Sequence, residues 1–86
     1  MNNKKLVNRI KRIVYESLGL SYKYHYPHLI KKSSHLVMDL GADSLDILEL
    51  VMDLEDGFKC GVPDEVFNQW KTVEDIIKYF IEIKND

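Results

Sequence analysis

Apolar residues recur at three- and four-residue steps in three stretches of the chain, and that period predicts helices. Over residues 3–18, Leu6, Val7, Ile10, Ile13, Val14 and Leu18 share one face, with Lys4, Lys5, Arg9, Lys11 and Arg12 off it. Gly19 suits the left-handed position that ends a helix. A second helix is expected from Ser44 to Asp56, with Gly57 ending it. Two stripes run along it. Ile47, Leu50, Val51, Leu54 and Phe58 make the face expected to be buried, while Leu45, Leu48 and Met52 make a narrower one among Asp46, Glu49, Asp53 and Asp56. A helix in a small bundle buries one face, so the second stripe is either an interaction surface or a widened core contact. Val62-Pro63-Asp64-Glu65 opens a short third helix, since proline suits a first turn and acids there complement the helix dipole. Val66, Phe67 and Trp70 are its apolar contribution. Thr72, with Asp75 three residues on, caps a last helix that points Val73, Ile76, Ile77, Phe80 and Ile81 inward and runs to Asp86.

Residues 20–38 break the helical period. Tyr22, Tyr24 and Tyr26 alternate as in an extended segment, but Pro27 interrupts them. The stretch reads as a long loop with one helical turn around His28–Lys32, and Leu20, Leu29, Ile30, Leu36 and Val37 are expected to tuck beneath it. Connections of this length in small domains tend to be functional or mobile. With no strand signal anywhere, the expected fold is all-α: a small four-helix bundle of three longer helices and a short third one, forming a single domain over residues 1–86.

Composition adds two constraints. At 45% hydrophobic and 30% charged the chain is globular, and no apolar run approaches the ~20 residues that span a bilayer. The net charge of −2 conceals a segregation: residues 1–32 hold eight Lys/Arg against Glu16 alone, whereas residues 33–86 hold four against thirteen acids. No Lys or Arg interrupts Lys32 to Lys59. A basic helix such as 3–18 could bind nucleic acid, but its charges read more simply as a solvated face. The lone Cys60 permits no intrachain disulfide, and the N-terminus lacks a secretory signal. That N-terminus is basic like an organellar transit peptide, yet it supplies a third of the expected core. A cytoplasmic location is expected.

The candidate chemistry gathers at Ser44. Ala42-Asp43-Ser44-Leu45 has a superficial likeness to an esterase block, but such a nucleophile needs a preceding strand, a base and an oxyanion hole. Asp39, Asp43 and Asp46 miss the spacing of a calcium-binding loop. His25, His28 and His35 match no compact zinc signature and are expected to be solvent-exposed loop residues, so no metal site is expected.

Asp39-Leu40-Gly41-Ala42-Asp43-Ser44-Leu45-Asp46, followed by Glu49-Leu50-Val51-Met52, closely resembles an acyl carrier protein of the fatty-acid-synthesis type. The likeness continues through Leu54-Glu55-Asp56 and Val62-Pro63-Asp64-Glu65 to Thr72-Val73, covers roughly residues 36–83, and is joined by Leu18-Gly19-Leu20. It implies a carrier without catalysis of its own. Ser44, flanked by Asp43 and Leu45, would receive 4'-phosphopantetheine from coenzyme A through a phosphopantetheinyl transferase. The arm would hold acyl intermediates as thioesters and shuttle them between enzymes of fatty acid biosynthesis. Asp43, Leu45, Asp46, Leu48, Glu49, Met52, Asp53 and Asp56 would dock a monomeric carrier on basic patches of those enzymes. Ile47, Leu50, Val51, Leu54, Phe58, Val73, Ile77 and Phe80 would line an acyl cleft. The longer loop after Gly19, Ile47 in place of a common Thr, Asp53 in place of a small residue, Gly57 in place of an acid, and Trp70 depart from the family pattern. They leave room for a dedicated carrier of a specialised lipid or polyketide pathway, or for an unmodified helical adaptor.

Overall fold

A computed structural model describes residues 3–84, and within them four α-helices form with no strand. Helix α1 (Lys4–Ser17) buries Ile10 and Val14 completely. It stops as expected at Gly19, whose φ of 61° is left-handed. Helix α2 spans Ser44–Phe58, α3 Asp64–Phe67 and α4 Val73–Lys84. The last two residues of the expected fourth helix, Asn85 and Asp86, lie outside the described residues.

Helix α2 runs two residues beyond the expected end, and Gly57 does not terminate it. The left-handed residue there is Lys59, at φ 54°. Gly57 serves packing instead: a Cβ on it would stand 3.0 Å from the Cδ1 of Ile13. Its missing side chain lets α1 approach closely, and Arg9 donates a hydrogen bond to the Gly57 carbonyl. The same guanidinium lies 4.5 Å from the centre of the Phe58 ring, a cation–π contact that covers this end of the core. Phe58 in turn stacks on Phe80 at 4.4 Å between centroids, and Tyr79 meets Phe80 edge-on at 5.1 Å.

The long connection is a strap with its own turns, not a structureless loop. Short 3₁₀ turns form at Leu20–Tyr22 and Pro27–Leu29, the second slightly before the helical turn expected at His28–Lys32. Leu20, Ile30 and Leu36 are buried as expected, but Leu29 and Val37 are 46% and 52% exposed. The reason is local geometry. Each sits next to a buried residue, and where the backbone is extended or tightly turned, sequence neighbours cannot both face inward.

The strap also completes α4. Val73 N–H donates to the Ser34 carbonyl (3.1 Å), Glu74 N–H to the Lys32 carbonyl (2.9 Å), and Leu36 N–H to the Lys71 carbonyl (2.8 Å). The first two satisfy first-turn donors that a helix cannot satisfy itself, and the third ties the strap to the residue before the Thr72 cap. Thr72 and Asp75 form the expected reciprocal cap: Asp75 N–H donates to Thr72 Oγ1, while Asp75 Oδ2 accepts from the N–H groups of Thr72 and Lys71.

Partial burial alone would raise the Asp75 pKa, but those N–H donors, the Thr72 side chain and the Lys78 charge outweigh it and hold the carboxyl below its ordinary 3.8. A depressed folded-state pKa stabilises the fold above the unfolded value, and that contribution is lost as pH falls through the folded value. Urea midpoints should therefore drop on acidification below about pH 4, and Asp75→Asn should flatten that drop. An unchanged acid profile in the variant would rule the cap out as a source of acid sensitivity.

Candidate functional site

A knot of turns delivers the chain to Ser44. The His35 carbonyl accepts from Asp39 N–H and Leu40 N–H, each at 3.0 Å, and His35 N–H donates to Asp39 Oδ2 at 2.7 Å. Gly41 N–H reaches the Val37 carbonyl and Ala42 N–H the Leu36 carbonyl, both at 3.0 Å. Gly41 holds φ 72°, a left-handed conformation that glycine adopts without steric cost. Buried Leu40 and Ala42 anchor the knot in the core, so the residue that follows enters α2 from a fixed point.

One member of this knot was not legible as structural. His35, expected among exposed loop histidines, is half-buried, and its Nδ1 accepts N–H groups from Val37 (3.2 Å) and Met38 (3.1 Å). Its only sequence signal is the Asp four residues on, which is weak. His25 and His28 do stand exposed, beside Tyr26 at 4.4 and 5.5 Å between ring centroids. His35→Ala leaves two backbone donors without that acceptor, and a loss of about 1 kcal/mol in folding stability is expected. Urea denaturation checks this, an unchanged midpoint meaning that water replaces the ring at no cost.

Asp43 is the N-cap of α2. Its Oδ1 accepts from Asp46 N–H at 2.8 Å, and Asp46 Oδ2 accepts from Asp43 N–H at 3.0 Å, a reciprocal capping box. Ser44 is the first helical residue and is exposed. Among the described residues, neither its hydroxyl nor the N–H groups of Ser44 and Leu45 find a hydrogen-bond partner. An open hydroxyl beside unpaired first-turn N–H groups fits a covalently attached phosphodiester, because those donors and the helix dipole favour an anion. The carboxylates of Asp43 and Asp46 oppose it, so cations must accompany a phosphate here.

Beyond Ser44 the two faces of α2 separate as the apolar pattern predicts. Leu50, Val51, Leu54 and Phe58 are buried and Ile47 half-buried. Leu45, Leu48 and Met52 stand 64%, 50% and 63% exposed, in line from the serine and flanked by exposed Glu49, Asp53 and Asp56. The eight residues expected to line an acyl cleft come together with Val73, Ile77 and Phe80 opposite α2, packed as part of one continuous core. Sequence reasoning missed Glu55. It is half-buried, and its Oε2 accepts Val62 N–H at 2.7 Å, tying the end of α2 to the segment before α3.

Among the described residues no helix is long and apolar enough to cross a membrane, and no cluster of three His, Cys, Asp or Glu could hold a metal ion. The family model described as "Phosphopantetheine attachment site" matches residues 8–80. An acyl carrier protein of Wolinella succinogenes is 44% identical over 70 residues, covering 81% of this chain and 86% of the relative. One of Bdellovibrio bacteriovorus is 42% identical over 71 residues, covering 83% and 85% respectively. This chain therefore belongs to the acyl carrier proteins, phosphopantetheine-bearing carriers without catalysis of their own.

Proposed function

We propose that residues 1–86 act as one carrier domain in the cytoplasm, that Ser44 is its attachment point, and that it serves enzymes of fatty acid biosynthesis. The observation that carries this is the exposed Ser44 hydroxyl at the head of an exposed apolar ridge framed by acids. When bound, the arm supplies a thiol that carries acyl groups as thioesters. A separate phosphopantetheinyl transferase loads it from coenzyme A with Mg²⁺, whose charge offsets Asp43 and Asp46.

The residues of α2 divide the remaining work. Leu45, Leu48 and Met52 give partners an apolar centre, and Asp43, Asp46, Glu49, Asp53 and Asp56 surround it with negative charge. Exposed acids meeting basic patches associate fast and dissociate readily, which suits a carrier that must leave each enzyme after every step. Ile47, Leu50, Val51, Leu54, Phe58, Val73, Ile77 and Phe80 line the acyl cleft, which opens by parting the core.

Incubation with a phosphopantetheinyl transferase, coenzyme A and Mg²⁺, followed by intact-mass measurement, should add one phosphopantetheine. No gain sinks the carrier reading in favour of an unmodified adaptor. Affinity for the transferase should fall about ten-fold or more between low and high salt. Salt-independent binding would remove the electrostatic part of the docking model.

A further inference from the structure

The strap carries surface chemistry that attachment and α2 docking leave unused. From Ser17 to Met38 no acid occurs, while Lys23, Lys31 and Lys32 are exposed. Apolar tips stand among them: Tyr22 is 77% exposed, Tyr26 53% and Leu29 46%. Tyr15 Oη donates to the Tyr24 carbonyl at 3.1 Å, which holds the strap against one flank of α1. On that flank Lys11 lies near Lys32, and burial first, then this neighbour's charge, lowers its pKa.

Helix geometry sets this flank apart from α2. Lys11 and Tyr15 are one turn apart on the strap side, whereas Arg9 and Ile13, about 200° round the helix at 100° per residue, meet Gly57 of α2. Grooves lie between α1 and α2 and between α3 and α4. The outer face of the strap therefore presents lysines with short apolar and aromatic tips, and the acids brought beside it are Asp39, whose carbonyl Lys23 reaches, and Glu74, bonded to the Lys32 carbonyl.

We propose that this face, through Tyr22, Lys23, Tyr26, Leu29, Lys31 and Lys32, docks the protein peripherally on an anionic lipid bilayer. Lysines attract an anionic surface, and amphipathic tyrosine rings settle at the headgroup level. A folded protein partner would need concave features to grip such tips, while a fluid interface closes around them. The inference is independent of loading at Ser44, since it is read on the unloaded chain.

Flotation with vesicles of phosphatidylcholine, alone or mixed with phosphatidylglycerol, tests it. The full chain should float with the anionic vesicles at low salt and stay behind with the neutral ones. Lys31→Glu/Lys32→Glu should weaken anionic binding at least about ten-fold. Tyr22→Ser/Tyr26→Ser should weaken it several-fold with little change in salt dependence. All six positions are exposed, and circular dichroism confirms that each variant is folded. Failure to float with anionic vesicles overturns the proposal, as does flotation unaffected by lysine reversal. Binding to heparin or RNA with indifference to the tyrosine changes also overturns it, assigning the face to general polyanion attraction.

Discussion

Ser44→Ala is expected to abolish phosphopantetheine loading while leaving the fold intact. The hydroxyl is exposed and unpartnered among the described residues, so its removal breaks no bond that the bundle depends on. The cap belongs to Asp43 and Asp46, and both of their reciprocal bonds persist in the variant. Alanine is also a better helix former than serine by a few tenths of a kcal/mol, about the scale of propensity differences between ordinary residues. The thermal midpoint should then hold or rise slightly as the mass gain vanishes. Loading that survives in Ser44→Ala would move the attachment point to another hydroxyl. Loss of loading accompanied by unfolding would mean that Ser44 is structural.

Phe80→Ala is expected to cost about 3–5 kcal/mol, the range for truncating a fully buried aromatic. Phe80 is 0% exposed and is the hub of the aromatic cluster, stacked on Phe58 and met edge-on by Tyr79, with Trp70 at 6.3 Å. Small domains hold only about 5–15 kcal/mol in total, so the variant should be largely unfolded at modest temperature. Phe80→Leu, which keeps most of the volume, should retain a cooperative transition at a lowered midpoint. An alanine variant as stable as the parent would mean that neighbouring side chains collapse into the space. That plasticity would itself favour a core able to part for an acyl chain.

Much of the architecture was legible because its causes are local. Helical periodicity located α1, α2 and α4, and the Thr72/Asp75 pair announced where the last begins, whereas the Asp43/Asp46 box at the head of α2 emerged only in the structure. The split of α2 into a buried and an exposed stripe followed from residue spacing alone, and the exposures of Leu45, Leu48 and Met52 agree with it. Ser44 stood out for the same reason: a turn, a hydroxyl and an amphipathic run rich in acids lie contiguous in the chain.

What the sequence could not determine were contacts between residues far apart along it. Gly57 carries the usual mark of a helix terminator, and only the approach of Ile13, 44 positions earlier, shows that it serves close packing while Lys59 takes the left-handed turn. His35 is a local exception: its Nδ1 accepts from Val37 and Met38 only two and three residues on, in a turn that no residue pattern signals. The strap looked less ordered than it is partly because Lys32, Ser34 and Leu36 bond to the start of α4, and no local pattern encodes a partner that distant. By itself, then, the sequence determined the helices, the Thr72/Asp75 cap and the serine at the head of α2, since each depends on neighbours within one or two turns. The tertiary structure decided how closely α1 lies on α2 and which loop residues face outward, because those depend on which surfaces meet.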